Sequence, residues 1–242
     1  GVTTRYEYDL LGRMNRIHSK EGMEVGYEYD CLDRITQLAY GNGVETEYRY
    51  DGSGNIEKLE TKRGERILLS FCYTYDGNGN RIHKKGRQCL PDGTEREIDI
   101  SYGYNLRSQL AEETRNGAAT KYSYDAAGNR LSKEDSEGVT DYHYNKKNQL
   151  ILLESPSGKK QFTYNRQGSI LTEEGAEGTR RYVYNSRNQQ IRVEWKRGIQ
   201  ENRYDAEGLR YETEENGQRF RFVYHNGELL YEGGDREETS YH

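Results

Sequence analysis

Tyr122-Ser123-Tyr124-Asp125-Ala126-Ala127-Gly128-Asn129-Arg130 is the stretch on which the fold of this chain turns. Two aromatic rings two residues apart lie on one face of an extended strand. The Asp that follows can bond backbone N–H groups two residues on, as in an Asx-turn. Gly128, three residues later, enters the left-handed region at no steric cost. The stretch therefore reads as the end of a strand, a reverse turn, and the start of the strand that runs back.

The same pattern recurs along the whole chain. Aromatic-x-Tyr-Asp/Asn appears at Tyr6, Tyr8, Asp9; Tyr27, Tyr29, Asp30; Tyr48, Tyr50, Asp51; Tyr73, Tyr75, Asp76; and Tyr102, Tyr104, Asn105. After Tyr122, Tyr124 and Asp125 it continues at Tyr142, Tyr144, Asn145; Phe162, Tyr164, Asn165; and Tyr182, Tyr184, Asn185. A degenerate copy, Asn202, Tyr204, Asp205, and a last one, Phe222, Tyr224, His225, end the series. Successive anchors are 21, 21, 25 and 29 residues apart, then 20 residues apart six times. Eleven copies in register mark a repeat architecture. Three residues beyond the anchors stand Gly12, Asp33, Gly54, Gly79, Gly128, Asn148, Gly168, Asn188 and Gly208, with Ser108 the exception.

A second strand follows each turn, with apolar residues at Leu131, Ile151 with Leu153, Leu171, and Ile191 with Val193. A second corner comes at Asn116-Gly117, Glu137-Gly138, Ser157-Gly158, Glu177-Gly178, Arg197-Gly198 and Asn216-Gly217, with Asn226-Gly227 near the end. The expected fold is all-β: residues 1–242 as a single array of about eleven hairpins in one long, twisted, spiralling antiparallel sheet. Residues 52–105 carry longer hairpins, one closed by Leu90-Pro91-Asp92-Gly93-Thr94.

Composition explains the choice of tyrosine. Only 32% of residues are hydrophobic, yet 12% are aromatic and 23 are Tyr. Disordered chains are poor in aromatics, so this chain folds around Tyr rather than Leu, Ile and Val, without a thick dry core. Tyr pairs on neighbouring hairpins are expected to stack in ladders, with Arg81, Arg130 and Arg210 over ring faces.

The pattern in Tyr73-Thr74-Tyr75-Asp76-Gly77-Asn78-Gly79-Asn80-Arg81 and in Tyr122–Arg130 resembles the YD repeat of RHS (rearrangement hotspot) proteins, across essentially the whole chain. Bacterial polymorphic toxins, wall-associated proteins of Gram-positive bacteria, the C component of ABC-type toxin complexes and animal teneurins share that repeat. The resemblance implies a spiral shell, of which this chain is part of the wall, around or presenting a C-terminal toxin domain. The rest of the parent polypeptide and that toxin are the implied partners, and the implied setting is a secreted or surface-displayed bacterial protein. The family's Asp-Pro-Gly-type self-cleavage motif has no match here, so self-cleavage is not carried over.

Other chemistries fare less well. His18, His83, His143, His225 and His242 share no triad-like spacing with Ser, Cys or a carboxylate, so no enzyme is expected. The doublets Glu112/Glu113, Glu173/Glu174 and Glu214/Glu215 split across the two faces of a strand. The loops from Asp51 and Asp76 begin like calcium loops, but Ile56 and Arg81 take the sixth position and Lys62 and Arg87 the twelfth. No metal or other cofactor follows. Cys31, Cys72 and Cys89 form no CxxC pair, although Cys72 and Cys89 fall on neighbouring strands. A formal net charge of −5 without a basic block points away from nucleic acid, and no apolar run reaches the ~20 residues of a membrane span. Tyr beside Asn, Asp and Arg also suits a cell-surface carbohydrate, which makes an adhesion module the alternative. Open sheet edges at both ends are expected to invite edge-to-edge self-association.

Overall fold

The structure is a computed structural model that describes residues 4–19, 22, 24–225, 227–234 and 238–240. Asn226, Tyr241 and His242 lie outside the described residues. The chain divides into two compact units, Gly1–Tyr122 and Ser123–His242. Unit one holds β1 Thr4–Tyr8, β2 Met14–Ser19, β3 Glu24–Tyr29, β4 Ile35–Tyr40, β5 Val44–Tyr50, β6 Ile56–Arg63, β7 Arg66–Tyr75, β8 Arg81–Cys89, β9 Glu95–Tyr104 and β10 Leu110–Arg115. The division falls inside β11, Ala118–Tyr124. Unit two holds β12 Arg130–Asp135, β13 Gly138–Tyr144, β14 Leu150–Ser155, β15 Gly158–Tyr164, β16 Ile170–Gly175, β17 Gly178–Tyr184, β18 Gln190–Trp195, β19 Gly198–Tyr204, β20 Arg210–Glu215, β21 Gln218–His225, β22 Glu228–Gly234 and β23 Glu238–Ser240. No helix among the described residues is long and apolar enough to cross a membrane.

Within each unit the strands form an antiparallel meander, each pairing with its neighbours in sequence. The longest strands, β7 and β9 with 10 residues each, lie in the region of widest repeat spacing. The 3:5 hairpin repeats at every anchor from Asp9 to Asp205. The anchor N–H donates to the carbonyl four residues on at 2.8–3.0 Å, and the N–H three residues on donates to the anchor carbonyl at 2.9–3.2 Å. That is a type I turn followed by a left-handed residue in a G1 bulge. All ten left-handed positions have φ between 56° and 95°. Ser108 is no exception in conformation: its φ is 56°. The surrounding turn bonds override its side-chain preference.

Strand alternation places the rings. In each motif the residue between the two aromatics is exposed, while the aromatics of the second and later repeats are at least half-buried. One feature departs from simple alternation. Each hairpin's ladder slips by one residue just before the anchor: Tyr144 pairs with Leu150 but His143 with Leu152. Ile151 and Leu171 fall at these bulges and stay 39% and 38% exposed. They therefore do not share a buried face with Leu153 and Val193, which pair with Tyr142 and Tyr182. A bulge inserts one unpaired residue, and that resets which side chains face inward.

The buried interior is thin. Phe71, Ile100 and Val193 are the buried hydrophobic residues, joined by Thr46, Asn202, Glu212 and Thr213, among the described residues. Asn202 stands where other repeats carry a ring. It compensates by donating to the Gln190 carbonyl and accepting from Gln200 and Thr213, at 2.9–3.0 Å. A buried polar group is tolerated when its bonds are satisfied.

Candidate functional site

The repeated corner is the site with the most developed chemistry, and its logic starts at the anchor. The anchor's Oδ1 accepts the backbone N–H groups two and four residues on: Leu32 and Arg34 onto Asp30 at 2.8 and 3.0 Å, Lys147 and Gln149 onto Asn145 at 2.9 and 3.1 Å. Asp and Asn serve equally there. They differ in the remaining atom, and the residue at the fourth position differs with them.

Where the anchor is Asp, the fourth residue is usually a donor. Arg13 and Arg34 donate to Asp9 and Asp30 at 2.7 Å, and Asn55, Asn80 and Asn129 donate to Asp51, Asp76 and Asp125 at 2.8–3.0 Å. Where the anchor is Asn, its amide donates, and in three of the four such corners the acceptor is Gln: Asn105 to Gln109, Asn145 to Gln149, Asn185 to Gln189, at 2.7–2.9 Å; Asn165, followed by Ser169, donates instead to Asn188 at 3.3 Å. A carboxylate oxygen can only accept and an amide N–H can only donate, so each of these bonded anchors faces a group of the opposite kind. The fourth position was missed in the sequence reading, although its covariation with the anchor was there to see.

These bonds set the electrostatics. The guanidinium of Arg34 holds Asp30 below the ordinary aspartate value, and the Asn55, Asn80 and Asn129 amides do the same for Asp51, Asp76 and Asp125. At Asp9 burial pushes upward, but the bonds from Arg13 and Leu11 outweigh it. The carboxylates of both candidate calcium loops are thus engaged by their own turns.

Tyrosine joins one hairpin to the next. The second Tyr of a motif donates its hydroxyl to the carbonyl five residues past the preceding anchor, at the edge of the bulge. In unit one Tyr29, Tyr50, Tyr75 and Tyr104 donate to Met14, Ile35, Ile56 and Arg81 at 2.6–2.8 Å. In unit two Tyr164, Tyr204 and Tyr224 donate to Leu150, Gln190 and Arg210 at 2.7–3.0 Å. Guanidinium groups cover rings: Arg13 over Tyr29 at 4.8 Å, Arg34 over Tyr50 and Arg81 over Tyr73 at 4.4 Å, Arg130 over Tyr142 at 5.8 Å, and Arg210 over Phe222 at 5.0 Å. The expected ladder of stacked Tyr pairs is replaced by this arrangement. Among the described residues one ring pair is in contact, Phe71 with Tyr73 at 6.4 Å, and it lies within a single strand. Corresponding rings of successive hairpins lie two strand spacings apart, about 9.5 Å, too far to touch, whereas the acceptor carbonyl lies on the neighbouring strand, within reach of the phenol oxygen.

The remaining candidates disperse. His83 sits 2.7 Å from Asp99, His143 sits 3.1 Å from Glu154, and His18 sits 3.9 Å from Glu7, each beside a carboxylate on a neighbouring strand. Glu173 and Glu174 oppose Phe162 and Gln161, and so lie on opposite faces. Cys72 pairs with Lys85 and Cys89 with Glu95, so the register keeps these thiols apart, and all three cysteines are free.

The family described as Teneurin YD-shell matches residues 1–74 and 60–229. The chain belongs to the teneurin YD-shell family. That family carries the RHS-type repeat, as the sequence resemblance indicated. Among solved structures, the Photorhabdus luminescens Tc holotoxin pore matches with a TM-score of 0.74 and 18% identity. The match covers 97% of this chain and 14% of that one, so the YD-shell segment spans about a seventh of the chain it resembles. At that identity the likeness shows the fold. The TcdB2–TccC3 complex without its hypervariable C-terminal region matches at 12% identity and a TM-score of 0.48, covering 96% of this chain and 17% of that one. No curated protein matches.

Proposed function

We propose that this YD-shell segment is a non-enzymatic wall element of a secreted or surface-displayed bacterial protein, and that the wall encloses or presents a C-terminal toxin domain. The observation that carries the proposal is the Tyr hydroxyl bond to the bulge carbonyl of the preceding hairpin, made by Tyr29, Tyr50, Tyr75 and Tyr104 in unit one and by Tyr164, Tyr204 and Tyr224 in unit two. Together with the strand ladders it leaves few places where the sheet can open locally. A wall works by exclusion and needs this property in every repeat, whereas a binding site needs one pocket.

The same bonds weigh against the carbohydrate reading. Hydroxyls and ring faces that a sugar would use are engaged by carbonyls and guanidinium groups of the wall itself. Limited proteolysis of the full polypeptide tests the proposal. A region C-terminal to the array is expected to survive protease concentrations that cut it once the array is denatured. Equal cutting rates in both states would contradict an enclosing wall.

A further inference from the structure

Three consecutive corners of unit two, residues 145–149, 165–169 and 185–189, share an unusual charge. They hold Lys146, Lys147, Arg166 and Arg187 and no carboxylate, in a chain of formal net charge −5. All four side chains are exposed. Among the described residues none lies within ion-pair distance of a carboxylate, and Arg187 donates to the Ala206 carbonyl at 3.2 Å.

The cause is the anchor chemistry described above. In unit one the first two corners are tied by charge: Arg13 bridges Asp9 and Asp33, both at 2.7 Å. In unit two neutral amides do that work. Asn129 donates to Asn148 at 3.1 Å, and Asn165 and Ser169 both donate to Asn188, at 3.3 and 2.8 Å. Neutral anchors and neutral ties hold the corners in place and leave the cations uncompensated. Between the first two corners lies a shallow cleft with Lys147 and Arg166 beside Ile151 and Phe162.

We propose that this rim of unit two is a docking surface for an acidic polypeptide segment. Adjacent corners stand about 9.5 Å apart, two strand spacings, and a chain in the polyproline II conformation advances about 9.3 Å in the three residues of one turn, which puts every third side chain on the same side. A carboxylate at every third residue would meet successive corners. An apolar side chain between carboxylates would seat on Ile151, which is 39% exposed. A dense polyanion fits less well, because the net negative charge of the whole chain repels it at longer range. The proposal does not depend on what the wall encloses.

The test is fluorescence anisotropy of the whole chain with a labelled nine-residue peptide, Glu-Gly-Leu repeated three times. Binding is expected at low salt and weakens at least about ten-fold at 0.5 M salt, as screening requires. Lys147→Glu with Arg166→Glu is expected to lower affinity at least about ten-fold, since it converts attraction to repulsion. Lys121→Glu with Arg197→Glu makes the same charge change elsewhere and should alter affinity less than about two-fold. Ile151→Ser should weaken the Leu-containing peptide but not its Leu→Ser counterpart. Absence of salt-sensitive binding, equal loss in both charge-reversed variants, or tighter binding of heparin or single-stranded RNA at the same rim would each overturn the assignment.

Discussion

The Tyr50 hydroxyl donates to the Ile35 carbonyl at 2.6 Å, while the Arg34 guanidinium lies 4.4 Å over the Tyr50 ring. One side chain thus ties a hairpin to its predecessor through its oxygen and its ring at once. The same Arg34 also holds Asp30. Turn chemistry and inter-hairpin contact are therefore parts of one network and not separate features of the repeat.

Tyr50→Phe removes the hydroxyl and leaves the Ile35 carbonyl without this partner. A cost of about 1 kcal/mol is expected in urea unfolding. Tyr8→Phe, at a residue 61% exposed, should cost less than about 0.5 kcal/mol. Equal losses at the two sites would show that the hydroxyl bond contributes nothing.

The pairing of anchor and fourth residue predicts a coupling. A double-mutant cycle of Asp30→Asn and Arg34→Gln should give an interaction of about 0.5–1 kcal/mol, because Asp30→Asn alone sets donor against donor, Arg34→Gln alone replaces a charged donor with a neutral one, and both together restore an Asn–Gln bond. A cycle of Asp205→Asn and Leu209→Ala, in which no variant has a side-chain bond between the two positions, should give a value near zero. The readout is the unfolding midpoint of the four variants in each cycle.

Acid should loosen the Asp-anchored corners before the Asn-anchored ones. Asp9, Asp30, Asp51 and Asp76 all titrate below the ordinary aspartate value, so the stability they contribute is present above about pH 3.9 and is lost as pH falls through their lower folded values. Asn145, Asn165 and Asn185 carry no titrating group. Hydrogen exchange should show the Leu32 and Arg34 amides losing protection below about pH 4 while Lys147 and Gln149 keep theirs. Simultaneous loss at both sets would remove the anchors as the cause.

Alkali acts on the other half of the network. Burial pushes the phenols of Tyr50, Tyr104 and Tyr164 above the ordinary value, so the stability of their neutral forms is complete below about pH 10 and lost as pH rises through the folded values. Ionisation also ends their role as donors. Spectrophotometric titration should show a delayed class of tyrosines whose ionisation coincides with loss of the β signal in circular dichroism.

Much of this was legible in the sequence because the repeat is written twice, in spacing and in residue type. Aromatic-x-Tyr-Asp/Asn located the strand ends, and Asp-x-x-Gly located the corners. Arg81, Arg130 and Arg210 were expected over rings and are found there. The bulge before each anchor was not legible, since no residue type demands it, and neither was the exposure of Ile151 and Leu171 that follows from it. The mode of contact between hairpins was also misread. Tyr content suggests stacking, but two strand spacings exceed ring contact, and the hydroxyl instead reaches a carbonyl on the neighbouring strand, which no residue type announces.

The most direct measurement of the central claim is the carbon-13 isotope shift at Cζ of labelled tyrosine in mixed light and heavy water, which detects hydroxyls that exchange slowly. The hydroxyls of Tyr29, Tyr50, Tyr75 and Tyr104 should each give a resolved pair of signals, as should those of Tyr164, Tyr204 and Tyr224, while exposed Tyr6 should give one averaged signal. Averaged signals from all of them would contradict the account, because the hairpins would then be joined by their strand ladders alone.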